Sequence, residues 1–281
     1  MNMPKNFNSI IFNLAGVAVM LTAGGYMVMS FLLTPRVEVC TKRYAPGQQF
    51  VYDSIKGKPL TPIDLQARSG SREWGLLQNA KIVKGDDGAP GSILEVSLAA
   101  TGNEDKIDQN GVGFIWPVSD LAKASAGCLS YSAYLPAKFD FKDAGFLPGL
   151  YGAADVTQID EIKPEAAFVA RMGWATGGDL GVELRLPGEQ GGYWQGASRR
   201  TTWGTGRWVR VEQEVKLNTQ GSQDGLLRVW IDGYLTIDKA GIDYRRGSDA
   251  VFSGIVSDIG YQHSASTVAA LRLSPFTIQW Q

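Results

Sequence analysis

The stretch Gly206–Gly233, GRWVRVEQEVKLNTQGSQDGLLRVWIDG, decides the fold of this 281-residue chain. Apolar and polar residues alternate with period two from Trp208 to Leu217 and again from Leu226 to Ile231. That rhythm marks strands with one face in a core and the other turned outward. Asp232-Gly233 closes the stretch with a hairpin signal. The same alternation recurs at Leu94–Leu98, Leu129–Leu135, Ala167–Trp174, Gly181–Leu186 and Leu271–Trp280. Turn signals lie between these runs, among them Gly85-Asp86-Asp87-Gly88 and Gly177-Gly178-Asp179. Val118–Ala126 is the best short helical candidate, and no rhythm of strand and helix appears. The pattern predicts an all-β, antiparallel two-sheet β-sandwich.

Composition agrees. Hydrophobic residues make up 44% and charged residues 20%, which excludes a disordered chain, a collagen and a coiled coil. The 34 Gly, with 8 Trp, 10 Tyr and 11 Phe, suit tight turns between aromatic-rich strands. Lys and Arg number 27 against 28 Asp and Glu, so the surface lacks the basic excess that nucleic-acid binding requires, and no nucleic-acid partner is expected.

The ends of the chain differ. Ile10 to Leu33 carries no charge and is long enough to span a bilayer as a helix. Residues 1–36 are expected to be a transmembrane signal-anchor, with a cleaved signal peptide ending near Thr22-Ala23-Gly24 as the alternative. Arg36, Lys42 and Arg43 outnumber Lys5 across the span and bias the body inward, but a long β domain translocates largely regardless of such charges. The body is expected on the periplasmic or extracellular side. Residues 37–63, with Pro35 just before them and Pro46, Gly47, Gly57 and Pro59 within, predict a tether, and residues 64–281 a single β domain. Cys40 and Cys128 are either two buried thiols or, in an exported protein, one disulfide. No CxxC or Cys/His cluster accompanies them, and Asp86, Asp87, Asp105 and Asp108 lack the spacing of a calcium loop, so no metal and no cofactor is expected.

Alternation also assigns faces. In Gly181–Leu186 the apolar set Val182, Leu184 and Leu186 points inward, which turns Glu183 and Arg185 outward, and Val169, Arg171 and Gly173 share one side of a nearby run. If the two runs are neighbours, Arg171, Glu183 and Arg185 form a charged strip on an outer sheet face. Tyr193-Trp194-Gln195 after Gly191-Gly192 reads as a loop carrying an aromatic platform for sugar rings. Lys142 reads as a solvated loop residue. His263 is the one histidine, and no GxSxG elbow supports a catalytic triad around it.

Several segments resemble the family-14 polysaccharide lyases. They are Leu129–Pro136 followed by FDFKDAGFLPGLYG (Phe139–Gly152), Ala170-Arg171-Met172-Gly173-Trp174, and Gly206–Gly233 itself. The resemblance implies an exported, concanavalin-like jelly roll that handles an acidic, uronate-containing polysaccharide such as alginate. In that family a base takes the proton beside the uronate carboxylate, a cation neutralises the carboxylate, and an acid protonates the leaving oxygen. The family places these roles on a Lys just before LPGL, an Arg on the next strand and a Tyr-x-Tyr pair on the strand after it. Here Phe146 stands at the Lys position, Arg171 matches the Arg, and Glu183 and Arg185 fall on the Tyr-x-Tyr positions. The candidate catalytic residues are therefore Glu183 and Arg171, and the candidate substrate-binding residues are Arg171, Arg185, Tyr193 and Trp194. Phe146 cannot neutralise a carboxylate, and neither Glu183 nor Arg185 repeats a tyrosine titrating near about 10. The first expectation is binding without turnover, followed by an active lyase with a rearranged site, and then by a structural subunit of an envelope or polysaccharide-export complex.

Overall fold

The computed structural model describes residues 37–54, 56–69, 73–86, 88–98, 111–154, 166–263 and 269–281, with residues 20, 22, 24 and 25 before them. The chain divides into two units, Met1–Glu38 and Val39–Gln281. In the first, residues 20, 22, 24 and 25 are helical, and the rest of the expected 1–36 anchor lies outside the described residues. No helix among the described residues is long and apolar enough to cross a membrane.

The second unit is all-β. Its strands are β1 (Gln48–Phe50), β2 (Glu73–Trp74), β3 (Ala80–Lys84), β4 (Ser92–Leu98), β5 (Val112–Pro117), β6 (Ala126–Leu135), β7 (Gly145–Ala153), β8 (Ala167–Trp174), β9 (Leu180–Arg185), β10 (Tyr193–Gly196), β11 (Arg207–Lys216), β12 (Gly225–Ile231), β13 (Tyr234–Ile242), β14 (Val251–Tyr261), β15 (Ala269–Leu273) and β16 (Phe276–Trp280). Short helices α1 (Cys40–Arg43), α2 (Pro62–Ser69) and α3 (Leu76–Asn79) precede most of them. A nine-stranded sheet runs β13-β12-β11-β6-β15-β4-β3, with β16 pairing to β6 and β1 to β16, and a seven-stranded sheet runs β10-β9-β8-β7-β14-β5-β2. The strand that decided the fold is the pivot of the larger sheet, because β11 pairs antiparallel with both β6 and β12. At the following hairpin Asp232 and Gly233 both take positive φ, 50° and 81°, as a two-residue primed turn demands.

One core lies between the sheets. Leu129, Tyr131, Val211 and Val229 enter it from the nine-stranded sheet, and Leu150, Phe168, Ala170, Val182 and Leu184 from the seven-stranded one. Buried aliphatic and aromatic side chains of this kind each stabilise the fold by roughly 1.5 to 3 kcal/mol. This is the expected sandwich, in keeping with a jelly roll.

Three local expectations are corrected. Leu271–Trp280 is two strands, broken at Ser274-Pro275, because proline has no N–H to continue a ladder. Val118–Ala126 gives only a short 3-10 turn over Ser119–Lys123, and Ala126 already opens β6. Residues 37–63 are not a tether: β1 pairs with β16, Phe50 and Tyr52 are buried in the core, and α1 is pinned to β6 by a Cys40–Cys128 disulfide with Cα atoms 5.8 Å apart. Phe50 stacks on Phe114 and Phe276, an apolar gain that a free linker forgoes.

The segment from Val39 to Ala45 lies on the outer face of the nine-stranded sheet. Thr41 donates to Glu212 Oε2, Tyr44 Oη donates to Glu214, and Arg43 pairs with Glu214 at 2.8 Å. Gln279 Nε2 donates to the carbonyls of Tyr44 and Ala45 at 3.1 Å, which ties the segment to β16 as well. Burial beside Glu214 pushes the Tyr44 phenol well above its ordinary value.

Candidate functional site

The LPGL motif shapes the seven-stranded sheet from within. Phe146 pairs with Gly173 and Gly149 with Arg171, so β7 holds one residue more than β8 across this interval and bulges at Leu147-Pro148. The opposite sheet braces that bulge. Tyr131 Oη donates to the Pro148 carbonyl at 3.0 Å, and the fully buried Gln213 accepts from Leu150 N at 3.3 Å and donates to Ala170 O at 2.9 Å. Buried backbone groups freed by a bulge need such partners. At Gly149 an added Cβ would collide with the Ala170 carbonyl and the Arg171 Cα, so only glycine lets β7 approach β8 here.

On the far side of β7, the register of β14 also slips between Val256 and Gly260. Asp258 falls in that unmatched interval. Arg171 reaches across the bulge to it: the guanidinium donates from Nε to Glu183 Oε2 and from Nη1 to Asp258 Oδ2. The Phe146 ring lies over the same guanidinium, 3.7 Å from its centroid to the Arg171 Cζ, a cation–π contact. Arg171 is only 7% exposed. Glu183 is in register with Arg171, and its second oxygen accepts from Arg185 Nε at 3.2 Å and Nη2 at 3.1 Å. Two guanidiniums and two carboxylates thus neutralise each other, and both oxygens of Glu183 are occupied.

The strip deduced from alternation therefore exists: Arg171, Glu183 and Arg185 share one face of neighbouring strands. Arg185 keeps its side chain 46% exposed, whereas Arg171 is enclosed. Tyr193-Trp194-Gln195 is not a loop but part of edge strand β10, which separates its two aromatics. Trp194 is in register with Glu183 on the outer face, while Tyr193 pairs with the core-facing Leu184 and so points to the opposite side. Burial, then Glu189, raises the Tyr193 phenol above its ordinary value. Lys142 is exposed beside Asp140, and His263 is exposed against Asp143 with a 3.3 Å ring contact.

Two residues of this face were not anticipated. Asp258 completes the Arg171 cluster, and the alternation Ile255, Ser257, Ile259 inward against Val256, Asp258, Gly260 outward was the signal available for it. Trp74, on β2 at the other edge, lies over Gly113 on the outer face. Ile115, Tyr151, Val169 and Val256 form a small apolar cluster of their own on this side of the sheet.

Residues 87–267 match the family model of polysaccharide lyase 14. The chain belongs to that family. Among solved structures, the marine PL-14 alginate lyase from Aplysia kurodai superposes with a TM-score of 0.63 at 20% identity, over 75% of this chain and 90% of that one. An alginate lyase from Chlorella virus gives 0.61 at 16% identity, over 78% and 97%. The endo-β-1,4-glucuronan lyase of the fungus Trichoderma reesei gives 0.50 at 12% identity, over 72% and 87%. At these identities the likeness establishes the shared lyase sandwich. No curated protein sequence matches the chain. Within this polysaccharide lyase 14 frame, Phe146, Arg171, Glu183 and Arg185 converge on one patch of the outer face.

Proposed function

We propose that this protein binds an acidic, uronate-containing polysaccharide on the outer face of the seven-stranded sheet and does not cleave it. The observation that carries this reading is the enclosure of Arg171 by Glu183, Asp258 and the Phe146 ring. β-Elimination needs a free cation or donor aimed at the uronate carboxylate and a base aimed at the adjacent C–H. The protein's own carboxylates occupy the guanidinium, Phe146 brings no charge, and Glu183 has no unengaged oxygen. A uronate instead meets the half-exposed Arg185, whose planar fork suits a carboxylate, while Trp194 on the same face offers a stacking surface to a neighbouring ring of the polymer. The ligand class is supported by the alginate and glucuronan lyases that share the fold.

Full-length protein mixed with alginate or polyglucuronate is expected to retard the polymer in affinity electrophoresis while ultraviolet absorbance from unsaturated uronate ends stays flat. A steady rise in that absorbance contradicts the reading and restores an active lyase.

Residues 1–36 are proposed to anchor the body at a membrane on its periplasmic or extracellular side. The charge-free run Ile10–Leu33 supports the anchor, and the Cys40–Cys128 disulfide supports an oxidising compartment. Membrane fractionation with added protease tests this: the expected body is membrane-bound and cleaved only from the exported side, and a freely extracted or cytoplasm-exposed body contradicts it.

A further inference from the structure

Near each edge of the seven-stranded sheet an indole comes down on a glycine. Near the β10 edge, Trp194 lies over Gly181, where an added Cβ would run into its Cε2, Cζ2 and Nε1 atoms. Near the β2 edge, Trp74 lies over Gly113, where an added Cβ would strike Nε1, Cδ1 and Cε2. Gly181 sits between the core residues Leu180 and Val182, and Gly113 between the core residues Val112 and Phe114. Alternation therefore puts both glycines, and both indoles above them, on the face that carries Arg171. Between them Asp258, two strands in from the β2 edge, keeps its side chain 33% exposed.

We propose that Trp74 is a second sugar-stacking platform, and that an acidic glycan crosses the strands from Trp194 to Trp74. This rests on the binding reading above. From β9, beneath Trp194, to β5, beneath Trp74, are four strand-to-strand steps, a span of roughly 19 Å at about 4.8 Å each. A single sugar cannot bridge that distance, and a short oligosaccharide can. The missing side chains at Gly181 and Gly113 let the rings come down onto the backbone, and with Trp194 37% exposed and Trp74 partly so, each is assigned an outward π face for the C–H face of a pyranose.

The two ends differ in charge. Arg185 shares the β10 end of this face with Trp194, on the other side of Glu183, and receives a uronate carboxylate there. Asp258, in register with Gly113, places a carboxylate next to the Trp74 half, so that end recognises the ring face of a sugar and not its charge.

Titration calorimetry with a uronate disaccharide and a hexasaccharide separates the claims, using wild type, Trp194→Ala, Trp74→Ala and Trp74→Phe. The hexasaccharide is expected to lose about tenfold in affinity with either alanine variant and to recover most of it in Trp74→Phe. The disaccharide is expected to respond to Trp194→Ala alone. Unchanged hexasaccharide affinity in Trp74→Ala overturns the second platform and leaves the binding reading standing. Equal losses for both ligands in Trp74→Ala mark a structural role and also overturn it. Wild type that binds neither ligand overturns the binding reading, and the platform with it.

Discussion

Both sheets place arginines and glutamates on their outer faces, and the two clusters meet different fates. On the nine-stranded sheet Glu212 and Glu214 are buried beneath Thr41, Arg43 and Tyr44, a cover held by the Cys40–Cys128 disulfide. On the seven-stranded sheet Arg171 is enclosed by side chains of its own face, and Arg185, Asp258 and Trp194 beside it stay accessible. An ion-pair network on a strand surface is therefore not in itself a site. What covers it decides whether it staples the fold or meets a ligand.

The sharpest way to break this contrast is to remove the cover. Replacing Cys40 and Cys128 with alanine opens a crosslink spanning 88 residues and is expected to cost about 2 to 5 kcal/mol, read as a lower urea midpoint. Polysaccharide affinity should not change. A parallel loss of affinity would show that the two faces are not independent.

A smaller effect is expected at the other cluster. Arg171→Met leaves Glu183 and Asp258 facing each other without their shared cation and should destabilise by about 2 kcal/mol, below the figure for a wholly buried pair because Asp258 is one-third exposed. Adding Glu183→Gln and Asp258→Asn should recover most of that loss in the same urea titration. A triple variant no more stable than the single one would mean that Arg171 contributes through its packing on Phe146 instead.

The weakest signal is a pH dependence. The Tyr44 phenol is raised by burial and by Glu214, so the folded state holds this proton more tightly than the unfolded chain. The stability it contributes is complete below the unfolded tyrosine value near about 10 and is lost as pH rises toward the folded value. Tyr44→Phe should flatten the alkaline fall in thermal midpoint relative to wild type, and superimposable profiles would remove Tyr44 from the cover's energetics.

Much of this arrangement is legible in the chain. Alternation at Ala167–Trp174 and Gly181–Leu186 put Arg171, Glu183 and Arg185 on one face, because a two-residue period leaves no other choice once Val182 and Leu184 go inward. The same rule separates Tyr193 from Trp194, although the preceding Gly191-Gly192 suggested a loop. The pairing of Asp258 with Arg171 was not legible, since it depends on coincident register slips in β7 and β14 that no local pattern encodes. The prolines and glycines of residues 37–63 suggested a linker, yet Phe50 and Tyr52 are the kind of aromatics that a linker exposes at a cost and a core buries at a gain.

The most direct test is a crystal structure of the full protein grown with a uronate hexasaccharide. The account predicts an intact chain lying across the seven-stranded sheet, with a carboxylate at Arg185 and a ring on Trp194, while Arg171 keeps Glu183 and Asp258. A shortened chain with an unsaturated end, or a uronate carboxylate seated on Arg171 in place of those two residues, would contradict it.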